Sequence, residues 1–428
     1  MRRAASATLA AELSAAHSTS QQMSAGQAPR SAWPEARQEH AETGELRNLG
    51  GLTGWRTNCI LWQISRGVEQ DAHYGKSGMT SRQRVLTAVS RREPDRVPFE
   101  LPLTPFLEER LKAERGVHNP DDYFGVDIRF AKYHAVPEEI DHSRYTAHFP
   151  SDAKVDDWGV GVRPVGYFHF GQRIHPMAGL TSVGELADYL FPAHTPMLQD
   201  IRRGVQEIQS RGLAAVSSYE SGTFEQANAL MGMENVLINM HANAEMMRLF
   251  FERISDIKAH IAAAYVEAGV DVLWIGDDIG CQRGPILSPA MWREFLIPPL
   301  EKIIARARSV RPDIPVAYHS DGYIGFAADG LREAGVNILQ AVQPEANDPA
   351  ELKARYGDRL AFWGGVGSQS TMSRGTPADV KAEVKRLMET VGKGGGYICS
   401  PAHRLEPECP LENIYALAEA IEHYGYYR

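Results

Sequence analysis

Residues 314–322 read "IPVAYHSDG", a short apolar run that ends on His319, Asp321 and a glycine. A strand that is buried on both faces of a parallel sheet typically has such an apolar sequence. Similar runs with polar or glycine-rich ends occur at 96–101, 125–136, 213–221, 270–278, 336–344, 360–367 and 395–403. Eight such strands, alternating with helical segments, predict an α/β fold and within that class a closed (β/α)8 TIM barrel. An open doubly wound sheet is the competing architecture.

The segments between the runs carry helix start signals. Ser288 stands before a proline and before apolar residues at helical spacing, which predicts a helix over 288–310. Ahead of the first run, Thr80 or Ser81 can cap a helix that Pro94 ends. The chain therefore alternates between strands and helices, as a barrel requires.

Two regions depart from this alternation. Residues 1–78 are rich in Ala, Ser, Gln and Gly and show little apolar periodicity, which predicts a disordered extension. Alternatively, Met79 is the natural start and the upstream sequence is translated in error. Residues near 140–195 are rich in aromatic, glycine and polar residues and predict an insertion, such as a hairpin, able to cover the barrel mouth. Residues 79–428, with this insertion included, are predicted to form one barrel domain.

Composition limits the class of protein. The chain has 428 residues, 43% of them hydrophobic and 23% charged, with a net charge of −9, which argues against a nucleic-acid binder. No window of 18 uninterrupted apolar residues predicts a membrane span. Four cysteines without CxxC spacing favour a reducing compartment, so we predict a cytoplasmic protein. Near the strand ends, Cys281 and Cys399 are predicted to be buried, inert thiols.

Polar residues at the carboxyl ends of the strands mark the candidate site. In a parallel barrel these ends converge on one face, although they are far apart in sequence. This rule collects Glu220, Asp277, Asp278, Gln282, His319, Asp321, Gln343 and His403.

The pair His319 and Asp321 is a candidate for metal binding. Residues two apart on a strand point the same way, and His403 from the last strand end completes a two-His, one-carboxylate set. Such a set suits zinc or another divalent first-row metal and leaves a coordination position open for catalysis. A hydrogen-bonded pair without a metal is the alternative.

The remaining strand-end residues are candidates for handling the substrate. Adjacent side chains on a strand point to opposite faces, so only one of Asp277 and Asp278 is expected to enter the site, while the other caps a turn or binds a backbone amide. We expect Asp278, Glu220 and Gln282 to orient substrate or move protons. The candidates for substrate binding are Gln343, Arg283 and Arg404.

Several longer stretches resemble one known family, the uroporphyrinogen decarboxylase superfamily of (β/α)8 barrels. They include "GDDIGCQRGPILSPAMWREFLIPPLEKII" from residue 276, "YHSDGYIG" from 318 and "GGGYICSPAHRLEPECPLENIYALAEA" from 394. True decarboxylases of this superfamily use no metal and grip substrate with an Arg-Gln-Ala-Gly-Arg segment and an aspartate after an early strand. Here the corresponding segments read "VPFELPLTPFLEERL" and "IRFAKYHAV", without that motif or that aspartate.

The other branch of the superfamily comprises cobalamin-dependent methyltransferases. The resemblance implies that the zinc-binding His-x-Cys pair and later Cys of its thiol-methylating members correspond to His319, Asp321 and His403. Carboxylate and imidazole ligands make a harder, less negative site than thiolates do. We therefore expect polarisation of an ether, carboxylate or hydroxyl oxygen rather than activation of a thiol.

The resemblance implies a metal-dependent methyltransferase or demethylase. It would move a methyl group between a small substrate, such as a methoxylated compound, and a corrinoid (cobalamin) carried by a partner protein. One alternative is a metal-free carboxy-lyase (decarboxylase) in which His319 or His403 protonates a carbanion-like centre. Another is a non-catalytic barrel that binds a tetrapyrrole or small ligand. A homodimer is the oligomeric state to test.

Overall fold

The computed structural model describes residues 78–165, 171–218 and 222–427. The predicted extension, apart from its last residue, lies outside the described residues. Within the described part, no helix is both long and apolar enough to cross a membrane.

Helices of ordinary length alternate with the strands. The described α-helices are α1 (Ser81–Val89), α2 (Pro105–Arg115), α3 (Pro120–Phe124), α4 (Ser143–Thr146), α5 (Val183–Ala187), α6 (Leu198–Ser210), α7 (Thr223–Met231), α8 (Met233–Ala242), α9 (Ala244–Ala268), α10 (Pro289–Phe295), α11 (Ile297–Val310), α12 (Ala328–Ala334), α13 (Pro349–Tyr356), α14 (Pro377–Leu387) and α15 (Leu411–Tyr424). Two π-helical turns follow, at Ser368–Met372 and Met388–Gly392.

The strands form one main parallel sheet and three smaller sheets. The described strands are β1 (Ile128–Ala131), β2 (Lys154–Val155), β3 (Gly161–Pro164), β4 (Gly171–Ile174), β5 (Ala214–Ser217), β6 (Leu273–Gly276), β7 (Gly280–Cys281), β8 (Gly284–Pro285), β9 (Val316–His319), β10 (Ile338–Ala341), β11 (Ala361–Val366) and β12 (Tyr397–Pro401). The main sheet has the order β12-β11-β10-β9-β6, and β1 pairs with β5; all of these pairs are parallel. An α/β fold is thus confirmed.

Single backbone contacts link these two parallel sheets. A parallel bridge between Val216 and Val272 connects β5 with the segment leading into β6, and another joins Phe99 to Cys399 of β12. Phe99 also accepts a hydrogen bond from Asp127 N at 2.9 Å, just ahead of β1. The first predicted strand is present only as isolated bridges, because Pro98 and Pro102 lack the N–H that a ladder needs. The predicted set of eight full strands is therefore found only in part.

One buried apolar cluster runs through the parallel strands. Its members come from α1, from β1, β5, β9, β10, β11 and β12, and from the start of β6: Val85, Val89, Ile128, Ala214, Val216, Val272, Ala317, Ile338, Ala361, Trp363 and Ile398. Helix α1 supplies the first two side chains, so it packs against the strands instead of lying apart from them. The core therefore lies among the parallel strands.

A buried carboxylate fastens α1 to the start of β1. The Asp127 side chain is fully buried and accepts hydrogen bonds from Arg84 Nη1 at 2.7 Å, Arg96 Nη1 at 2.9 Å and Phe99 N at 2.8 Å. Because it is paired in this way, the Asp127 carboxylate stabilises the amino ends of the strands. Removal of its partners would leave a buried, unpaired charge, which lowers the free energy of unfolding. The opposite ends of the strands are left for the site.

The predicted helix over 288–310 is broken in two. Ser288 does cap the first part, accepting a bond from Met291 N at 3.3 Å. Helix α10 ends before Leu296 and α11 begins at Ile297, because Pro298 and Pro299 fit only the first turn of a helix. For the first helix, Thr80 is the cap, in a capping box with Gln83.

The segment at 140–195 contains antiparallel structure of its own. Strand β3 pairs antiparallel with both β2 and β4, so the predicted hairpin is present. The insertion contacts the helices after β5: Met177 N donates to Leu230 O at 2.9 Å, and Lys258 Nζ lies 5.3 Å from the ring centre of Trp158. Coverage of the barrel mouth stays a prediction.

Candidate functional site

The carboxyl ends of β6 and β9 bring three ligand-type side chains together. Asp278 follows β6, His319 ends β9 and Asp321 lies two residues after it. One ligand atom from each lies within 4.8 Å of the other two. Gly276 pairs with His319 across the two strands. A Cβ at Gly276 would lie 2.6 Å from His319 Cβ, so the glycine permits this close approach.

A neighbouring amide fixes the orientation of His319. Trp274 Nε1 donates to Gln340 Oε1 at 3.3 Å, and because an indole N–H only donates, the facing amide atom is the oxygen. His319 Nδ1 contacts the same oxygen and must therefore carry its hydrogen. This leaves the Nε2 lone pair available, 3.8 Å from Asp278 Oδ1. Metal-ligating histidines in proteins are held in this manner.

Asp321 is a buried carboxylate with unmet bonding capacity. Its backbone N donates to Asp278 Oδ1 at 2.7 Å, while Oδ1 is buried without a partner among the described residues. Burial raises the pKa of Asp321, the Asp278 charge raises it further, and His319 and His403 act in the opposite direction. Two carboxylates held this close favour a bound cation.

His403 lies beside this group but outside it. Its Nε2 is 3.4 Å from Asp321 Oδ2, and 45% of its side chain is exposed. The three converging residues are thus Asp278, His319 and Asp321, with Asp278 in place of the predicted His403. The difference arises because His403 follows β12, three strands from β9 in the sheet. Its ring approaches the group at Asp321 Oδ2.

The group opens onto a cavity of about 360 Å³. The side chains that line it are Glu100, Pro102, Phe130, Ser218, Glu225, Trp274, Asp278, His319, Asp321, Gln340, Ala402, His403, Arg404 and Glu406. Aromatic rings form part of its wall: Phe130 meets Trp274 edge to face at 5.8 Å, and Trp274 lies 5.4 Å from the His319 ring. A cavity of this size and mixed lining suits a small molecule.

A second set of buried charges lies next to the cavity. Asp277 accepts bonds from Thr223 N at 3.0 Å and Glu225 N at 2.8 Å, so it binds backbone amides while Asp278 enters the cavity, the division expected from strand alternation. Burial, with Asp277 and Asp278 adding to it, raises the pKa of Glu225 to about 9. Burial likewise raises the pKa of Asp277 to about 7 and lowers that of Lys258 to about 8. Glu225 therefore stays protonated at neutral pH.

Glu100 is a further buried acid on the cavity wall. It accepts hydrogen bonds from Ser400 Oγ and, at 3.4 Å, from Trp363 Nε1. Burial raises its pKa to about 7 despite these bonds. The cavity wall thus includes two carboxyl groups, Glu100 and Glu225, whose pKa values lie well above the usual range.

The other predicted residues have different positions. Arg404 lines the cavity, whereas Gln282 and Arg283 lie exposed in the β7–β8 turn and do not line its described wall. Gln343 is buried, and its Oε1 accepts from Gly322 N at 2.9 Å, so it supports the loop after β9. Glu220 lies outside the described residues. Cys399 is buried as predicted, but the prediction for Cys281 is wrong because that thiol is exposed.

The cavity residues that the strand-end rule missed include Glu100, Gln340 and Glu225. Glu100 is the next-to-last residue of the first predicted run and would have been collected had that run been treated like the others. Gln340 lies inside its strand, not at its end, and Glu225 lies in the first turn of α7. These last two residues are distinguished only because their side chains reach the cavity, and the sequence alone does not show which side chains do so.

Residues 175–424, more than half of the chain, match the family model of uroporphyrinogen decarboxylase (URO-D). The chain belongs to this family. The resemblance predicted from the sequence is thereby confirmed.

Curated relatives come from both branches of the superfamily. The methylcobamide:CoM methyltransferase MtaA of Methanosarcina barkeri is 33% identical over 178 residues, 41% of this chain and 49% of that enzyme. The uroporphyrinogen decarboxylase of Coxiella burnetii is 22% identical over 255 residues, 58% of this chain and 65% of that enzyme. The chain thus spans about half the length of the methyltransferase relative. The higher identity places it nearer the methyltransferase branch.

A solved methyltransferase from Methanosarcina mazei has a similar fold. It aligns with a TM-score of 0.60 and 19% identity, over 81% of this chain and 99% of that one. At this identity the likeness concerns the fold alone.

Proposed function

We propose that the protein is a metal-dependent methyltransferase or demethylase that moves a methyl group between a small substrate and a corrinoid. One observation carries the proposal: Asp278, His319 and Asp321 present converging ligand atoms at one cavity. The 33% identity to a methylcobamide:CoM methyltransferase supports the same reaction class.

The side chains present fit a divalent metal. One imidazole with a free Nε2 and two carboxylates, one with an orphaned buried oxygen, make a donor set of intermediate hardness. His403 is near enough to Asp321 to join or support the set. A zinc-like ion bound there would act as a Lewis acid on a substrate oxygen.

The chain's own residues prepare that reaction in three ways. Gln340 holds His319 in one tautomer, and the Asp321 amide holds the Asp278 carboxylate. The rings of Phe130 and Trp274 give one side of the cavity an apolar surface. Glu225 keeps its proton at neutral pH and can donate it to an oxygen that loses its methyl group.

The corrinoid would be carried by a partner protein. A cavity of about 360 Å³ holds a small substrate, so a corrin ring would approach from the mouth. We further propose that the parallel strands and the segment at 96–103 close into the predicted barrel. The bridges at Phe99 and Val216 and the shared core support this closure.

Metal analysis combined with methyl transfer tests the proposal. The purified chain should bind about one zinc or similar ion, and it should demethylate or methylate free cobalamin, followed by the change in visible absorbance. His319→Ala and Asp321→Ala should lose both properties. His118→Ala, at an exposed histidine, should keep them. Full activity after removal of all metal would contradict the mechanism.

A metal-free carboxy-lyase is the second candidate. Arg404 lines the cavity and could receive a substrate carboxylate, and the chain is similar to uroporphyrinogen decarboxylases. This candidate predicts release of carbon dioxide from a polycarboxylate in the presence of chelator and its loss in Arg404→Gln. Dependence on added metal would exclude it.

A further inference from the structure

Glu100 is a buried carboxyl group in which the described residues hydrogen-bond only one of the two oxygens. Only 6% of the residue is exposed, and it lines the cavity. Both of its hydrogen bonds, from Trp363 Nε1 and Ser400 Oγ, go to Oε2. No described residue donates to Oε1. Because Glu100 lines the cavity, a molecule bound there can pair with Oε1.

The two donors determine what Oε1 can offer. The indole N–H of Trp363 can only donate, so Oε2 acts as an acceptor and the proton of the neutral acid belongs on Oε1. Oε1 is then a donor when the acid is protonated and an acceptor when it is ionised. A hydroxyl group is the ligand group that can pair with either form.

The wall beside Glu100 is flat and apolar. Phe130 is 40% exposed although it is a large apolar side chain, and its ring stacks with that of Trp363 at 6.4 Å and 14°. Pro102 and Ala402 extend the same wall. Exposed aromatic surface inside a concave site is typical of ligand contact.

Glu100 and the metal-ligand group come from separate parts of the sheet. Residue 99 bridges to β12, whereas His319 ends β9, and β10 and β11 lie between those strands. A ligand can therefore contact both at once only if its two polar groups are apart. The arrangement therefore favours a ligand in which the rest of the molecule keeps the two polar groups apart.

We propose that Glu100 is a substrate-binding residue whose Oε1 hydrogen-bonds a hydroxyl group carried on a flat, apolar body that lies against Phe130. The inference rests on the proposed function only in identifying this ligand as the methyl-bearing substrate, because the contact itself needs neither metal nor corrinoid. The substrate class is then a hydroxylated ring compound whose reacting oxygen faces His319.

Calorimetric binding of phenol and toluene to the full, metal-stripped chain tests this contact. The two probes share their shape, but only phenol has a hydroxyl group. Phenol should bind roughly tenfold more tightly, the value of one hydrogen bond to a buried charged or acidic group. Because metal is removed, failure of the metal mechanism does not affect the result.

Two variants separate binding from structure. Glu100→Met keeps the length of the side chain but removes the polar atom that faces the cavity, so the preference for phenol should fall to about twofold or less. Glu109→Gln, at a side chain that is 75% exposed, should retain the preference. In infrared difference spectra, phenol should shift a carboxyl band that Glu100→Met lacks, and toluene should leave it in place.

Three results would overturn the inference. They are equal affinity of phenol and toluene, absence of binding by both, and an undiminished phenol preference in folded Glu100→Met protein. In each case Glu100 would serve only to hold Trp363 and Ser400.

Discussion

At the scale of single residues, the site is organised by one amide oxygen. Gln340 Oε1 accepts from Trp274 on one side and from His319 on the other, so the tautomer of His319 follows from side chains on the two strands that flank β9. The ligands alone do not define such a site. The neighbours that orient them are equally necessary.

Replacement of Gln340 tests this role. In Gln340→Leu, His319 loses the acceptor for Nδ1–H and can rotate or change tautomer, so zinc affinity should fall by roughly 10–100-fold. A competition titration with a chelating dye measures the change. Gln369→Leu, at an exposed glutamine, serves as the control and should bind zinc normally. Normal affinity in Gln340→Leu would show that His319 is held by other contacts.

Glu225 gives a prediction on pH and stability. Its pKa is raised in the folded chain to about 9, so its stabilising effect is complete below about pH 4.5 and is lost as pH rises toward 9. Glu225→Gln cannot ionise and should become more stable than the natural chain as pH rises, by on the order of 4 kcal/mol at pH 8. Urea unfolding at pH 5, 6.5 and 8 measures the difference. Glu234→Gln, on the exposed side of α8, should show no such trend.

At the scale of elements, the close pairing of β6 and β9 places the ligands. Gly276 lies against His319 with room for a hydrogen only. In a strand this residue is otherwise unfavourable, because glycine loses more backbone entropy than other residues. Its presence is explained by the approach of the neighbouring strand.

Gly276→Ala should disturb that pairing. The added methyl group would meet His319 Cβ and O, both at 2.6 Å, so the strands must separate. We expect a loss of about 1–3 kcal/mol in the free energy of unfolding together with weaker zinc binding. Gly179→Ala is the matched control, because nothing lies within 4 Å of its new Cβ. Unfolding curves and a zinc titration on both variants decide between the outcomes.

The sequence was informative about strand ends and less so about what faces inward. His319 and Asp321 could be predicted because an apolar run, a two-residue spacing and a glycine all occur within nine residues. The helix over 288–310 was predicted as one piece, although the proline pair at 298–299 was visible in it. Gln340 could not be identified from sequence, since its role depends on the register between β9, β10 and β6.

At the scale of the whole molecule, stability and chemistry occupy opposite ends of the strands. Asp127, Arg84 and Arg96 form a buried charge network at the amino ends, whereas the metal-ligand group, Glu100 and Glu225 lie toward the carboxyl ends. In parallel α/β folds with this division, loops at one end can change while the other end keeps the fold.

Asp127→Asn should lower stability without changing zinc binding. It leaves Arg84 and Arg96 without their shared counter-charge and should cost about 3 kcal/mol of unfolding free energy. Zinc affinity of the folded protein should be unchanged, because Asp127 lies at the far end of the strands. Asp313→Asn, whose side chain is 91% exposed, should alter neither quantity. Parallel loss of zinc affinity would mean that the two ends are coupled.

The Asp321 amide holds the Asp278 carboxylate close to a second carboxyl group, so the metal-free protein contains two acids that repel each other. Such crowding is a standing instability that evolution retains where function depends on it. Asp278→Asn should therefore melt at a higher temperature than the metal-free natural chain. Added zinc should raise the melting temperature of the natural chain and leave that of the variant almost unchanged, so that one thermal scan reports whether the site is built for a cation.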